Sequence, residues 1–144
     1  VTEGHLIVEE LAGEDLPMAV GPSLTDPSKF ELLHKTFATP GILAQAGCAV
    51  SIITDSPVIP QEYLPLCAAL AMRSGMPEFA ALQAITINPA RHIGVQERVG
   101  SIEVGKDADL VLMDGPWYEV ASTARMVLVN GRIAARADGI ANAQ

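Results

Sequence analysis

An ionisable side chain that closes a strand otherwise built for burial is the first candidate for chemistry. Asp55 follows Cys48-Ala49-Val50-Ser51-Ile52-Ile53-Thr54, a β-branched and almost continuously apolar run, the pattern of a parallel strand covered on both faces. In parallel α/β folds ligands bind at the carboxyl ends of the strands, so Asp55 reads as an acid-base group or a ligand. With Ser56 and Pro57 it also reads as an ordinary turn former, and the residues alone leave both readings open. His5, His34 and His92 are scattered, and none has the close spacing by which one strand or helix supplies two metal ligands. These residues do not by themselves argue a complete metal site, and His34 and His92 are expected on solvated helix surfaces. Cys48 and Cys67 lie in apolar surroundings without CxxC spacing, which predicts unpaired core thiols rather than nucleophiles. No GxSxG elbow, P-loop or GxGxxG is present, so the common nucleophilic and nucleotide-binding motifs drop out. The cluster Lys106-Asp107-Ala108-Asp109 reads as a solvated entry to the apolar strand Leu110-Val111-Leu112.

The elements that must position Asp55 alternate between helix and strand over the first two-thirds of the chain. Thr2 is expected to cap a helix over 5–13, with Leu6, Ile7 and Leu11 on its apolar face. Residues 16–20 read as a buried strand closed by Gly21-Pro22, and Thr39-Pro40 as the cap and first turn of a helix ending at Gly47. After the strand at 48–54, an Ala- and Leu-rich helix over 63–74 tolerates Pro65 only in its first turn. Pro77 begins another helix, with Phe79, Leu82 and Ile85 on one face, and Asn88-Pro89 caps a third that stops at Gly94. Beyond Val99 the pattern turns to strands at Ile102, 110–113 and 126–129, and Asn130-Gly131 marks a two-residue hairpin into Arg132-Ile133-Ala134. A boundary near 98–101 divides an α/β part, 1–98, from a β-rich part, 99–136, with a tail over 137–144.

With 49% hydrophobic residues in 144, the chain can bury a core. Nine Lys and Arg against seventeen Asp and Glu give a net charge of -8, which repels nucleic-acid backbones and anionic membrane surfaces. No apolar run approaches the roughly 20 residues of a spanning helix, and the reduced-thiol reading suits the cytoplasm. The start, Val1-Thr2-Glu3-Gly4-His5, has neither an initiator Met nor a leader, so the sequence reads as a piece of something longer.

Three stretches together carry a resemblance: Ile52-Ile53-Thr54-Asp55; Ala84-Ile85-Thr86-Ile87-Asn88-Pro89-Ala90; and Gly100-Ser101-Ile102-Glu103-Val104-Gly105-Lys106-Asp107-Ala108-Asp109-Leu110-Val111. In this order and spacing they resemble the C-terminal part of a metal-dependent amidohydrolase, of the imidazolonepropionase-like branch. The resemblance implies a (β/α)8 TIM-type barrel that holds one or two divalent metals, usually zinc, and a small β-sandwich made from both chain ends. It implies that residues 2–13 follow barrel strand six, that 16–21 and 48–54 are strands seven and eight, and that 99–136 belongs to the sandwich. Asp55 then matches the strand-eight aspartate, which ligates metal, takes a proton from the attacking water and hands it to the leaving nitrogen. The other ligand motifs of the family would precede Val1, including a strand-six histidine two residues before Thr2, so the metal site is expected to be incomplete. His5 and Ser23 remain candidates for substrate contact, against readings as a first-turn helix residue and a loop former.

The implied function is hydrolysis of cyclic amides, amidines or related C–N bonds in a small-molecule substrate, with this piece inactive alone. The rival is a noncatalytic binding or assembly module derived from the same fold. The expected partners are the missing N-terminal half of the protein and a second copy of the chain, with neither nucleic acid nor membrane.

Overall fold

Short apolar runs punctuated by Gly and Pro produce short elements, and those of the first ninety residues gather around one parallel strand pair. The structure is a computed structural model that describes residues 1–27 and 29–137; the expected tail at 138–144 lies outside the described residues. A 3-10 turn at Gly4–Ile7 leads into α1 (Val8–Ala12), followed by β1 (Met18–Val20), α2 (Thr39–Gln45) and β2 (Val50–Ile52). Helices α3 (Leu64–Arg73), α4 (Glu78–Ala84) and α5 (Ile87–His92) come next, then β3 (Leu110–Met113), β4 (Ala124–Val129) and β5 (Arg132–Arg136).

β1 and β2 pair in parallel with Met18 opposite Val50 and Val20 opposite Ile52. The ladder continues beyond both ends of β2: the Met18 amide donates to the Ala49 carbonyl at 2.8 Å and the Ile53 amide to the Val20 carbonyl at 3.0 Å. Met18, Val20, Val50 and Ile52 face a core completed by Leu43 of α2, Cys67, Ala68 and Ala71 of α3, Met76, and Ala81 and Ala84 of α4. Small residues on α3 and α4 let those helices approach closely. The buried face of α4 is therefore Ala81 and Ala84, whereas Phe79, expected on the apolar face, is 70% exposed. The N-terminal segment shows a similar reversal, since Leu6 and Ile7 are exposed and Gly4, Val8 and Leu11 pack inward.

Three expected caps serve other purposes. The Thr2 hydroxyl donates to the Gly21 carbonyl at 3.1 Å, Thr39 is the first helical residue of α2 with its hydroxyl at His5, and the Asn88 amide donates to the Val50 carbonyl at 2.8 Å. In each case a side chain that can satisfy a helix end instead ties two elements together.

β3, β4 and β5 form an antiparallel sheet in that order. Asn130 and Gly131 have φ of 50° and 71°, as a two-residue hairpin turn requires. The Asp109 carboxylate accepts the Asn130 amide at 2.8 Å, and the Ala108 carbonyl accepts the Gly131 amide at 3.0 Å. Lys106 donates to Ser101 at 2.6 Å and Arg98 pairs with Asp107 at 2.5 Å. The 106–109 cluster leads into β3 with Asp109 exposed, as expected of a solvated strand entry, and its 108–109 end also braces the hairpin. Ile102 lies outside any strand and is 86% exposed. Gly100, at φ +95°, crosses α5 so closely that a Cβ would lie 2.9 Å from the Ile87 Cα and from the Ala90 Cβ.

Candidate active site

Three stretches of chain come side by side at the carboxyl end of the parallel pair. The Val1 nitrogen donates to the Ala19 carbonyl at 2.5 Å and Thr2 bonds Gly21, which sets the first residues along β1. Gly21, at φ +148°, lies against Ile53 so tightly that a Cβ would sit 2.2 Å from its carbonyl oxygen. Only glycine fits there, and the contact locks the exit of β1 to the exit of β2.

Two residues further on, Asp55 leaves β2 in the left-handed region at φ +54° and is exposed. Its carbonyl accepts the Val58 amide at 2.9 Å, so the backbone makes the turn. Its carboxylate has no hydrogen-bond or ion-pair partner among the described residues. The turn-forming and site readings are therefore compatible, one carried by the backbone and the other by the side chain. A left-handed residue with a Cβ costs of order 1 kcal/mol, borne here at an exposed position.

His5 is half-buried, with Nδ1 2.8 Å from the hydroxyl oxygen of Thr39. The first-turn reading of His5 describes its backbone, in the 3-10 turn, but leaves out this long-range contact. Ser23 follows Gly21-Pro22; burial raises the Cys67 thiol pKa, and the nearby Ser23 hydroxyl opposes that rise. Beyond Asp55, Leu24, Val58, Ile59, Pro60, Tyr63 and Leu66 line an apolar recess of about 230 Å³.

His92 was expected on a solvated surface, yet its Nδ1 meets the buried Ser51 hydroxyl at 2.5 Å. His34 is exposed as expected, its amide held by the Glu3 carboxylate at 2.6 Å. With Asp15, Pro17, Ala49, Asn88 and Arg91, His92 lines a second recess at the amino ends of the strands, the side that carries packing rather than chemistry in parallel folds. Among the described residues no three His, Cys, Asp or Glu side chains come together as a metal site. The donor set of the described residues does not fit a metal by itself, since no second ligand stands with Asp55. Nothing in local spacing pointed to Thr39, which touches His5 across 34 residues.

A profile of the amidohydrolase family matches residues 24–134. The chain belongs to the amidohydrolase family. It is 30% identical over 125 residues to an imidazolonepropionase of Streptococcus pyogenes serotype M12, covering 81% of this chain and 29% of that protein. Among solved structures, an amidohydrolase from Thermotoga maritima MSB8 superposes with a TM-score of 0.89 at 40% identity, covering 94% of this chain and 35% of that one. An adenosine deaminase from Xanthomonas campestris, described with bound zinc, superposes with a TM-score of 0.62 at 25% identity over 89% of this chain and 34% of its own. The likeness implies a TIM-barrel type of fold for this amidohydrolase. The chain spans less than a third of the length of the curated imidazolonepropionases it matches. No helix among the described residues is long and apolar enough to cross a membrane.

Proposed function

We propose that this chain is the C-terminal part of a hydrolase that opens C–N bonds in cyclic amides, amidines or related small molecules. In this reading β1 and β2 are barrel strands seven and eight, and β3 to β5 belong to a composite sandwich completed by other residues of the protein or by a second copy. The observation that carries the proposal is the unpartnered Asp55 carboxylate at the carboxyl end of β2, in a chain of the amidohydrolase family. A carboxylate there takes a proton from water as the water oxygen bonds to the amide or amidine carbon. It returns that proton to the nitrogen as the C–N bond breaks, and ends the cycle ionised. We assign substrate contact to His5, which is half-buried, and to Ser23, in the loop after Gly21-Pro22.

A divalent metal, zinc in the usual case, would have to draw most of its ligands from outside these residues, with Asp55 offering one carboxylate. Catalytic zinc takes three protein ligands as a rule. Equilibrium dialysis of the 144-residue chain is therefore expected to leave no stoichiometric tight zinc, and the chain alone to show no turnover. The alternative is a noncatalytic module, favoured by one observation: the parallel half already has a core, its buried apolar residues all lying between Met18 and Ala90. A screen of the complete metal-loaded protein separates the two. Ring opening of cyclic amides or amidines supports the hydrolase, and inertness towards them, with retained binding, supports the module.

A further inference from the structure

We propose that Thr39 is a positioning residue that fixes the tautomer of His5, so that His5 presents an N–H at Nε2 to the substrate. The inference rests on the hydrolase reading for its catalytic consequence but not for its geometry. Thr39 is 1% exposed, at the first position of α2, and its hydroxyl oxygen lies 2.8 Å from His5 Nδ1. The nitrogen and oxygen share one proton, and the surroundings decide which holds it. The Thr39 hydroxyl has no hydrogen-bond partner other than His5 among the described residues. If Nδ1 carried the proton, the buried hydroxyl hydrogen would lack an acceptor, and a buried donor left unsatisfied is the more costly arrangement. Thr39 therefore donates to Nδ1, and neutral His5 carries its proton on Nε2.

Nε2 has no protein partner among the described residues, and Gln96 Oε1 is the one buried side-chain polar atom left unpartnered there. Nε2 therefore reaches solvent. An imidazole locked as an Nε2–H donor suits an oxygen that gains negative charge when water adds to an amide carbon. It complements Asp55, which handles the proton while His5 holds the developing oxyanion. Thr39 acts only through His5.

Nitrogen-15 NMR of the protein tests the tautomer directly, with the His5 signals assigned by their loss in His5→Gln. The expected result is an unprotonated Nδ1 and a proton-bearing Nε2 in a single form. Thr39→Val removes the donor at nearly constant shape and is expected to return the ring to an averaged mixture, while Thr39→Ser restores the single form. A proton on Nδ1 in the wild type overturns the proposal whether or not the variants fold. So does a spectrum unchanged by Thr39→Val. In the complete enzyme, Thr39→Val is expected to lower kcat about tenfold with KM little changed, and His5→Gln to lower it about 10²-fold. Loss of both effects with the tautomer intact would remove His5 from the reaction and leave the Asp55 reading standing.

Discussion

Leu43 and Ile133 are both aliphatic residues on regular elements, yet Leu43 is fully buried and Ile133 is 49% exposed. The contrast extends to the regions they belong to. Around β1 and β2, helices α2 to α4 supply a continuous core, and every residue of β2 is buried. On the antiparallel sheet no residue of β3, β4 or β5 is fully buried, and Val111 and Leu112, which point to opposite faces, are both substantially exposed. Trp117, packed on the core and edge-on to Tyr118 at 5.5 Å, ties this region to the rest. The difference teaches that strand pairing and closure are separate achievements. The hairpin and its Asp109 brace fix the sheet's backbone, while its apolar side chains have little to pack against.

The sharpest way to break this comparison is a pair of truncations. Leu43→Ala is expected to cost about 2–5 kcal/mol of stability, the range for an aliphatic side chain removed from a closed core. Ile133→Ala should cost less than about 1 kcal/mol. Equal losses in chemical denaturation would show that the sheet is as well covered as the region around β1 and β2. The exposed sheet carries a second expectation. The isolated chain should bind a dye for apolar surface and self-associate in sedimentation, and Val111→Lys should reduce both. A monodisperse, dye-silent monomer would contradict the reading of an uncovered sheet.

A smaller effect is expected at the exit of β2. Asp55→Gly relieves the left-handed backbone and should raise stability by roughly 1 kcal/mol, offset in part by the freer unfolded chain. A marked loss of stability would mean that the carboxylate has a structural partner. The smallest effect concerns Cys67. Burial raises its thiol pKa, only partly offset by Ser23, so alkylation of the native protein should be slow at neutral pH. This contribution to stability is fully present below the ordinary thiol pKa and is lost as pH rises through the raised value. Rapid labelling of Cys67 in native protein would show that α3 is not packed against its neighbours as described.

The same contrast explains what the sequence made legible. The β2 strand, the Pro65 position, the Asn130-Gly131 hairpin and Asp55 as a strand-end carboxylate are local patterns, so composition and spacing expose them. The buried face of α4 was missed because Phe79 is the larger hydrophobe, while close helix packing selects Ala81 and Ala84. Thr2, Thr39 and Asn88 have the chemistry of helix caps, and a single sequence does not show that each bonds a distant element. His92 looked solvated for the same reason, since its partner Ser51 lies 41 residues away. Contacts of that span are set by the tertiary fold and leave no periodicity behind.

Turnover by Asp55→Asn in the complete, metal-loaded protein tests the central claim most directly. The substitution keeps the shape of the side chain and removes its ability to take up and return a proton. The account predicts a fall of about 10²-fold or more in kcat on a cyclic amide or amidine that the wild type opens, with an unfolding midpoint close to that of the wild type. Full turnover in a folded Asp55→Asn protein would contradict it, because the proton would then travel by a group other than the carboxylate at the end of β2.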